Sequence, residues 1–182
     1  PLPSLAPMLD KVLPSIVNVS VQGVVSTGEI IIDKNKRKRH LPPVPKKFSS
    51  IGSGVIFDKK KGYIVTNAHV IKNSTQVTIT LNDGRRIQAK VIGADPETDV
   101  AVLQIKAANL IEIPFADSQR LRVGDFVVAI GNPFGMNSFG RNQSATFGIV
   151  SALQRNTLNI EGVENFIQTD AAINPGNSGG AL

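Results

Sequence analysis

The last nine residues of the chain, 174–182, read NPGNSGGAL and place a single serine among three glycines. A serine hydroxyl is a weak nucleophile at neutral pH, so hydrolysis through Ser178 would require a neighbouring base and hydrogen-bond donors for the developing oxyanion. Gly176 can adopt a positive φ, and the backbone N–H groups of Gly176 and Ser178 could then converge on one oxygen. A glycine-rich turn between two strands has the same composition, so the motif by itself leaves both interpretations open.

Two histidines compete for the role of the base. His40 lies in a strongly basic stretch, where its imidazole would be surrounded by cations. His69 follows the apolar run YIVTNA and precedes VI, which places it at the end of a predicted strand in a partly buried setting. A histidine beside apolar residues is more often structural than catalytic, so His69 becomes the candidate base chiefly by elimination.

Asp99 is the strongest candidate for the carboxylate that would orient this base. The apolar run VAVLQI follows it at once, and a carboxylate at the head of a buried strand needs a partner such as a histidine N–H. Asp99 could instead simply end the turn that Asp95 begins. Asp170 in QTDA is a rival, although it lies eight residues before Ser178 and could equally be a structural acceptor.

The order His69, Asp99, Ser178 is that of two-barrel chymotrypsin-like enzymes and not that of subtilisins or α/β-hydrolases. The predicted secondary structure is consistent with such a two-barrel enzyme. Nine short runs rich in β-branched residues are separated by Gly, Asn, Asp or Pro. Without a long helical pattern they predict an all-β barrel or sandwich. The runs are SIVNVSVQGVV, GSGVIFD, GYIVTNA, QVTITL, RIQAKVIGAD, DVAVLQI, DFVVAIG, ATFGIVSAL and NFIQTD.

Two local signals complete the prediction of secondary structure. Asp83-Gly84 suits a hairpin turn. Ser4 could cap a short N-terminal helix that Pro14 would end, with one apolar face formed by Leu5, Met8, Leu9 and Val12.

The composition excludes several classes of function. The chain has 182 residues, 41% of them hydrophobic, and no cysteine, which removes disulfides and thiol nucleophiles, while two histidines argue against a protein zinc site. No apolar run approaches the roughly 20 residues of a membrane span. The start lacks the pattern of a signal peptide, so we expect a soluble protein that, if exported, is in its mature form.

The positive charge is concentrated in one stretch. Seven basic residues lie within 34–47, against a net charge of +6 for the chain. The prolines of this stretch and its lack of periodicity favour a solvated loop over a nucleic-acid-binding face. Any contact with a membrane or another anionic surface would fall to this loop.

Several motifs in the same order resemble the HtrA/Deg family of serine proteases, and the opening PSLAPMLDKVLPSIVNV is similar to its DegQ/DegP-like branch. The resemblance covers nearly the whole chain except about residues 24–48. The motifs are TNAHV, DGR, GADPETDVAVLQI, VGDFVVAIGNPFG, GIVSAL and NFIQTDAAINPGNSGGAL.

The resemblance implies a chymotrypsin-like double β-barrel with a short N-terminal helix. Residues 1–110 would hold the helix and first barrel, with a variable basic loop at 24–48, and residues 111–182 a linker and an incomplete second barrel, with no PDZ domain in this chain. The implied function is ATP-independent cleavage of unfolded or misfolded proteins in the bacterial periplasm. Chaperone-like holding of such clients and assembly from homotrimers are implied as well, with no cofactor and no metal.

The resemblance also assigns roles to individual residues. His69 would be the general base, Asp99 its orienting partner and Ser178 the nucleophile, and the oxyanion hole would come from the backbone of Gly176, Asn177 and Ser178. Ile173 and Asn174 would border the substrate pocket, with small aliphatic residues preferred before the cleaved bond.

Two departures from the family pattern lead to an alternative to the protease hypothesis. A segment near 136–147 carries about five extra residues beside the expected active site, and the family continues after GNSGGAL with further strands. The alternative is therefore a catalytically inactive client-binding or structural fragment.

Overall fold

The computed structural model describes residues 4–27, 30–32, 38–40, 43–132, 136–137, 140–141, 143–155 and 165–182. All nine predicted runs form strands, and the fold is mostly β, as the sequence predicts. The elements in chain order are α1 (Ala6–Val12), a 3-10 turn (Leu13–Ser15), β1 (Ile16–Thr27), β2 (Ile30–Ile32), β3 (Lys38–His40), β4 (Val44–Asp58), β5 (Tyr63–Asn67), α2 (Ala68–Ile71), β6 (Ser74–Thr80), β7 (Arg86–Asp95), β8 (Val100–Gln104), a 3-10 turn (Ser118–Arg120), β9 (Phe126–Gly131), β10 (Met136–Asn137), β11 (Gly140–Arg141), β12 (Ser144–Arg155) and β13 (Phe166–Thr169).

Six antiparallel strands close into a barrel in the order β1-β4-β5-β8-β7-β6. Side chains alternate between the two faces of a strand, so every second residue of these runs points into the barrel. The interior is filled mainly by β-branched residues and leucines that are almost fully buried, among them Val17, Val19, Val21, Ile56, Ile64, Val77, Ile79, Leu81 and Leu103. This core fixes the register of the strands, because a slip by one residue would turn each apolar set outward.

A second, partial sheet contains β13, β12 and β9 in that order, and a single bridge joins Ile130 of β9 to Ala181 near the end of the chain. It packs on the barrel through a smaller cluster in which Ile16, Val55 and Ile130 are buried. The division into domains at residue 110 stays a prediction.

The N-terminal helix differs in detail from its prediction. Leu5, not Ser4, occupies the cap position, and the Ser4 hydroxyl accepts a hydrogen bond from the N–H of Ala6 at 3.2 Å. The α-helix ends at Val12 and the chain continues through Pro14 as a 3-10 turn. Within the described part of the chain, no helix has the length and apolar character that a membrane span requires.

The basic loop is shorter than predicted. The pairing of β1 with β4 continues to Thr27 and Val44, so both strands extend into the segment 24–48. Within the remaining loop, β2 and β3 pair with each other. The side chains of residues 27–42, and part of the predicted insertion at 136–147, lie outside what the structure describes.

Candidate active site

His69 lies on the one-turn helix α2, immediately after β5 ends at Asn67. The pairing of β5 with β8 sets Asn67 opposite Val100, so the residues just beyond this pair, His69 and Asp99, meet at the same end of the barrel. Two hydrogen bonds fix the corner, since Asn67 Nδ2 and the N–H of Ala68 both donate to the carbonyl oxygen of Asp99, at 2.9 and 3.1 Å.

The Asp99 carboxylate holds His69 at two points. Its Oδ1 accepts the backbone N–H of His69 at 2.8 Å, and its Oδ2 lies 2.6 Å from His69 Nδ1. An ionised carboxylate can only accept hydrogen bonds, so this contact places the hydrogen on Nδ1, and in the neutral imidazole Nε2 is then the acceptor. The carboxylate side chain is only 14% exposed, whereas the imidazole is 55% exposed and thus accessible to a reacting group.

Asp99 is held in an unusual backbone conformation, with φ of 53°. The left-handed region costs a non-glycine residue about 1–2 kcal/mol. The hydrogen bonds at the His69 corner stabilise it. Asp95 is the acceptor of the preceding turn instead, because its carboxylate accepts from Thr98 Oγ1 and the N–H of Glu97, both at 2.9 Å.

The serine loop is built around two glycines with positive φ, Gly176 at 93° and Gly179 at 84°. A Cβ at Gly179 would lie 2.2 Å from the carbonyl oxygen of Ser53 and 2.3 Å from Thr66 Oγ1, so only glycine fits there. The loop is tied to β4, since the N–H of Ser53 donates to the carbonyl of Ser178 at 2.8 Å.

Ser178 lies beside the corner that carries His69. A Cβ on Gly52 would be 2.7 Å from Val70 Cγ1 and 3.1 Å from the carbonyl oxygen of Ser178. Gly52 therefore lies against both the residue that follows His69 and the serine loop. Among the described residues, hydrogen bonds join His69 to Asp99 but none joins His69 to Ser178. Hydrogen bonds to a reacting serine are often long before substrate binds.

The three N–H groups assigned to the oxyanion hole differ in their partners. The N–H of Asn177 donates to the carbonyl of Asn174 at 3.1 Å and so is engaged within the loop. In the described part of the chain, the N–H groups of Gly176 and Ser178 have no such partner. These two groups are therefore available to a ligand oxygen, and Asn177 contributes structure instead.

The other sequence candidates are placed as follows. Ile173 is 63% exposed beside the serine loop, and Asn174 is exposed and accepts the Asn177 hydrogen bond. Asp170, the rival carboxylate, accepts the N–H of Ile149 at 2.7 Å, so it acts as a structural acceptor between β12 and the segment after β13.

A cleft of about 550 Å³ borders the His69–Asp99 pair. Its wall is more apolar than polar, and its polar lining residues are His69, Lys72, Asn73, Ser74 and Asp99. The cleft touches the His69–Asp99 side of the site, and none of the described residues of the serine loop lines it. The apolar residues that line it are Ala68, Ile71, Val91, Ala94 and Pro96.

Sequence reasoning missed three buried polar residues behind the serine loop. Ser53, Asn132 and Asn18 are each at most 3% exposed. Ser53 Oγ donates to the carbonyl of Gly176 at 2.7 Å and accepts the N–H of Asn132 at 2.8 Å. The only signal in the sequence is a serine between two glycines in the otherwise apolar strand GSGVIF.

Comparison with known proteins gives consistent matches. The family described as "Trypsin-like peptidase domain" matches residues 52–182. The chain is 55% identical to "Periplasmic pH-dependent serine endoprotease DegQ" of Escherichia coli, over 100% of the chain and 40% of that protein. It is 46% identical to "Periplasmic serine endoprotease DegP" of the same organism, over 100% of the chain and 43% of that protein.

Among solved structures, the chain is similar to "HtrA-type protease AlgW with decapeptide". The TM-score is 0.77 at 42% sequence identity, covering 98% of this chain and 55% of that one. The chain thus spans well under half the length of the curated relatives it matches.

Proposed function

Because this chain belongs to the trypsin-like peptidase family, and within it to the HtrA/Deg proteases, we propose that it forms the catalytic domain of an ATP-independent serine endopeptidase. The observation that carries the proposal is the double contact of Asp99 with His69, at 2.6 and 2.8 Å. It presents Nε2 of an accessible imidazole as an acceptor beside a glycine-framed serine.

In the proposed mechanism, Ser178 Oγ attacks the carbonyl carbon of the peptide bond while its proton passes to His69 Nε2. Asp99 keeps the ring in the required tautomer and stabilises the imidazolium that forms. The N–H groups of Gly176 and Ser178 would bind the oxyanion. His69 then gives the proton to the leaving amine. A water molecule attacks the acyl carbon while His69 takes its proton, the bond to Ser178 Oγ breaks, and His69 returns the proton to Oγ.

We propose that the substrates are unfolded or misfolded proteins of the bacterial periplasm. Two named relatives are periplasmic endoproteases, and the solved relative was obtained with a decapeptide. The apolar residues that line the cleft beside His69 would accommodate the apolar side chains that an unfolded protein exposes. Ile173 and Asn174 would border the pocket for a small aliphatic residue before the cleaved bond.

Assembly into homotrimers and chaperone-like holding of clients belong to the same proposal. Leu5 and Met8 of the N-terminal helix segment are 40% and 38% exposed, which leaves apolar surface for a neighbouring subunit. Such surface would equally serve the holding of an unfolded client.

Casein hydrolysis in the absence of ATP, by the intact protein that carries this chain, tests the function. Ser178→Ala is expected to lower kcat by about 10⁶-fold, and His69→Ala should be similarly impaired. His40→Ala, a change of the other histidine, should leave hydrolysis intact. ATP-independent hydrolysis that persists in Ser178→Ala would refute the proposal.

A further inference from the structure

Ser53 of β4 touches the serine loop through both its backbone and its side chain. Its N–H donates to the carbonyl of Ser178 at 2.8 Å, and its hydroxyl donates to the carbonyl of Gly176 at 2.7 Å. One residue of the first barrel therefore holds the carbonyl groups on both sides of Asn177.

The direction of the Ser53 hydroxyl is itself fixed. The N–H of Asn132, just after β9, donates to Ser53 Oγ at 2.8 Å, and a serine has only one hydrogen to give. That hydrogen therefore points to Gly176. Asn132 is held in turn, because its carbonyl accepts from Asn18 Nδ2 of β1 at 2.9 Å.

This chain of hydrogen bonds controls a peptide that could otherwise rotate. Glycine has access to far more backbone conformations than other residues, and Gly176 has a φ of 93°. The bond to Ser53 fixes the plane of the peptide that links Gly176 to Asn177. The far end of this peptide is fixed by the bond from the N–H of Asn177 to Asn174. The N–H groups of Gly176 and Ser178 flank the peptide, so their directions depend on it.

We propose that Ser53 is a positioning residue for the oxyanion site. Its hydroxyl, held by the N–H of Asn132, fixes the direction of the Gly176 carbonyl. This inference rests on the proposed protease function. Ser53 is fully buried, so it acts through the serine loop and not on substrate.

Steady-state hydrolysis of a chromogenic peptide by the intact protein tests this role, with kcat expressed per folded molecule. A misplacement of about 1 Å costs about 10²-fold in rate, so Ser53→Ala should lower kcat by about tenfold to a hundredfold. KM should stay within about threefold of its original value, because only the transition state carries the oxyanion. Ser53→Cys should behave alike, because a thiol is a weak hydrogen-bond donor and acceptor, and it fills the space that Ser53→Ala would leave empty if the cavity prevents folding.

Ser15→Ala is the matched control. Ser15 is also fully buried, but its hydroxyl has no hydrogen-bond partner among the described residues. Its removal should leave kcat unchanged. If both Ser53 variants keep the kcat of Ser15→Ala, or if KM rises while kcat is kept, the positioning role is refuted although the protease function stands. Absence of hydrolysis by the unchanged protein would overturn both.

Discussion

Substitution of Asp99 by asparagine separates the chemical role of this residue from its structural one. Asparagine tolerates the left-handed backbone at this position, where φ is 53°. Its Oδ1 can still accept the N–H of His69, which the carboxylate accepts at 2.8 Å. Its amide nitrogen, however, would face His69 Nδ1 at the position of the carboxylate oxygen 2.6 Å away.

The amide nitrogen is a donor, so it favours the opposite tautomer of the His69 ring. Nδ1 then accepts, and Nε2 carries the hydrogen and cannot take a proton from Ser178. In other enzymes with a Ser-His-Asp triad the same inversion lowers kcat by about 10⁴-fold, which is about 5 kcal/mol of transition-state stabilisation. Because both hydrogen bonds survive in altered form, the free energy of unfolding should fall by only about 1–2 kcal/mol.

Two measurements on the same samples test this: peptide hydrolysis for kcat and thermal unfolding for Tm. Asp95→Asn is the matched control, since Asp95 lies in the same turn and its carboxylate accepts from Thr98 and Glu97 and, among the described residues, not from His69. It should keep full activity. An Asp99→Asn variant that retains kcat within about tenfold of the original would refute the tautomer argument.

Two further predictions concern stability. Gly62 and Gly124 both have positive φ, at 70° and 95°, but a Cβ at Gly62 would lie 2.0 Å from the carbonyl oxygen of Ile105, whereas none of the described atoms lies within 4 Å of one at Gly124. Gly124→Ala should therefore cost about 1–2 kcal/mol in denaturant unfolding, and Gly62→Ala clearly more; equal costs would contradict the contact. The Thr98 hydroxyl, with the N–H of Glu97, holds the pKa of Asp95 below its ordinary value of 3.8. A lowered pKa in the folded state adds stability that is present above pH 3.8 and is lost as the pH falls through the lowered pKa. The Tm of Asp95→Asn should therefore fall less on acidification than the Tm of the original protein. An identical fall in both would show that the hydrogen bonds to the Asp95 carboxylate do not stabilise the fold.

The strands could be predicted because they depend on local patterns, whereas the pairing of His69 with Asp99 rests on elimination and on the family resemblance. Alternating apolar residues mark the strands, and the barrel register then brings the end of β5 next to the start of β8. His69 and Asp99 meet there because each lies just beyond the last paired residue of its strand.

The length of β4 could not be predicted in the same way. The prolines before it, Pro45 among them, and the lack of periodicity favour a loop, and the predicted run begins at Gly52. In the structure Pro45 pairs with Ser26, and the long partner β1 carries β4 back to Val44. Tertiary pairing overrides the local signal here.

The polar residues behind the serine loop show a second limit. Asn18, Ser53, Asn132 and Gly176 are joined by hydrogen bonds, although up to 123 positions separate bonded partners. Asn18, Ser53 and Asn132 are each an ordinary polar residue at a strand or its end, and Gly176 takes part only through its carbonyl oxygen. Their common role depends on the packing of the partial sheet on the barrel, which local sequence does not encode.

The most direct test of the proposed chemistry is the identity of the serine that an organofluorophosphonate modifies. Such reagents react much faster with a serine that a neighbouring base has activated than with an ordinary serine hydroxyl. After treatment of the intact protein and proteolytic mapping by mass spectrometry, we expect one adduct, on Ser178, with labelling lost in Ser178→Ala and strongly slowed in His69→Ala. An adduct on a different serine, or no adduct on an intact folded protein, would contradict the assignment of Ser178 as the nucleophile.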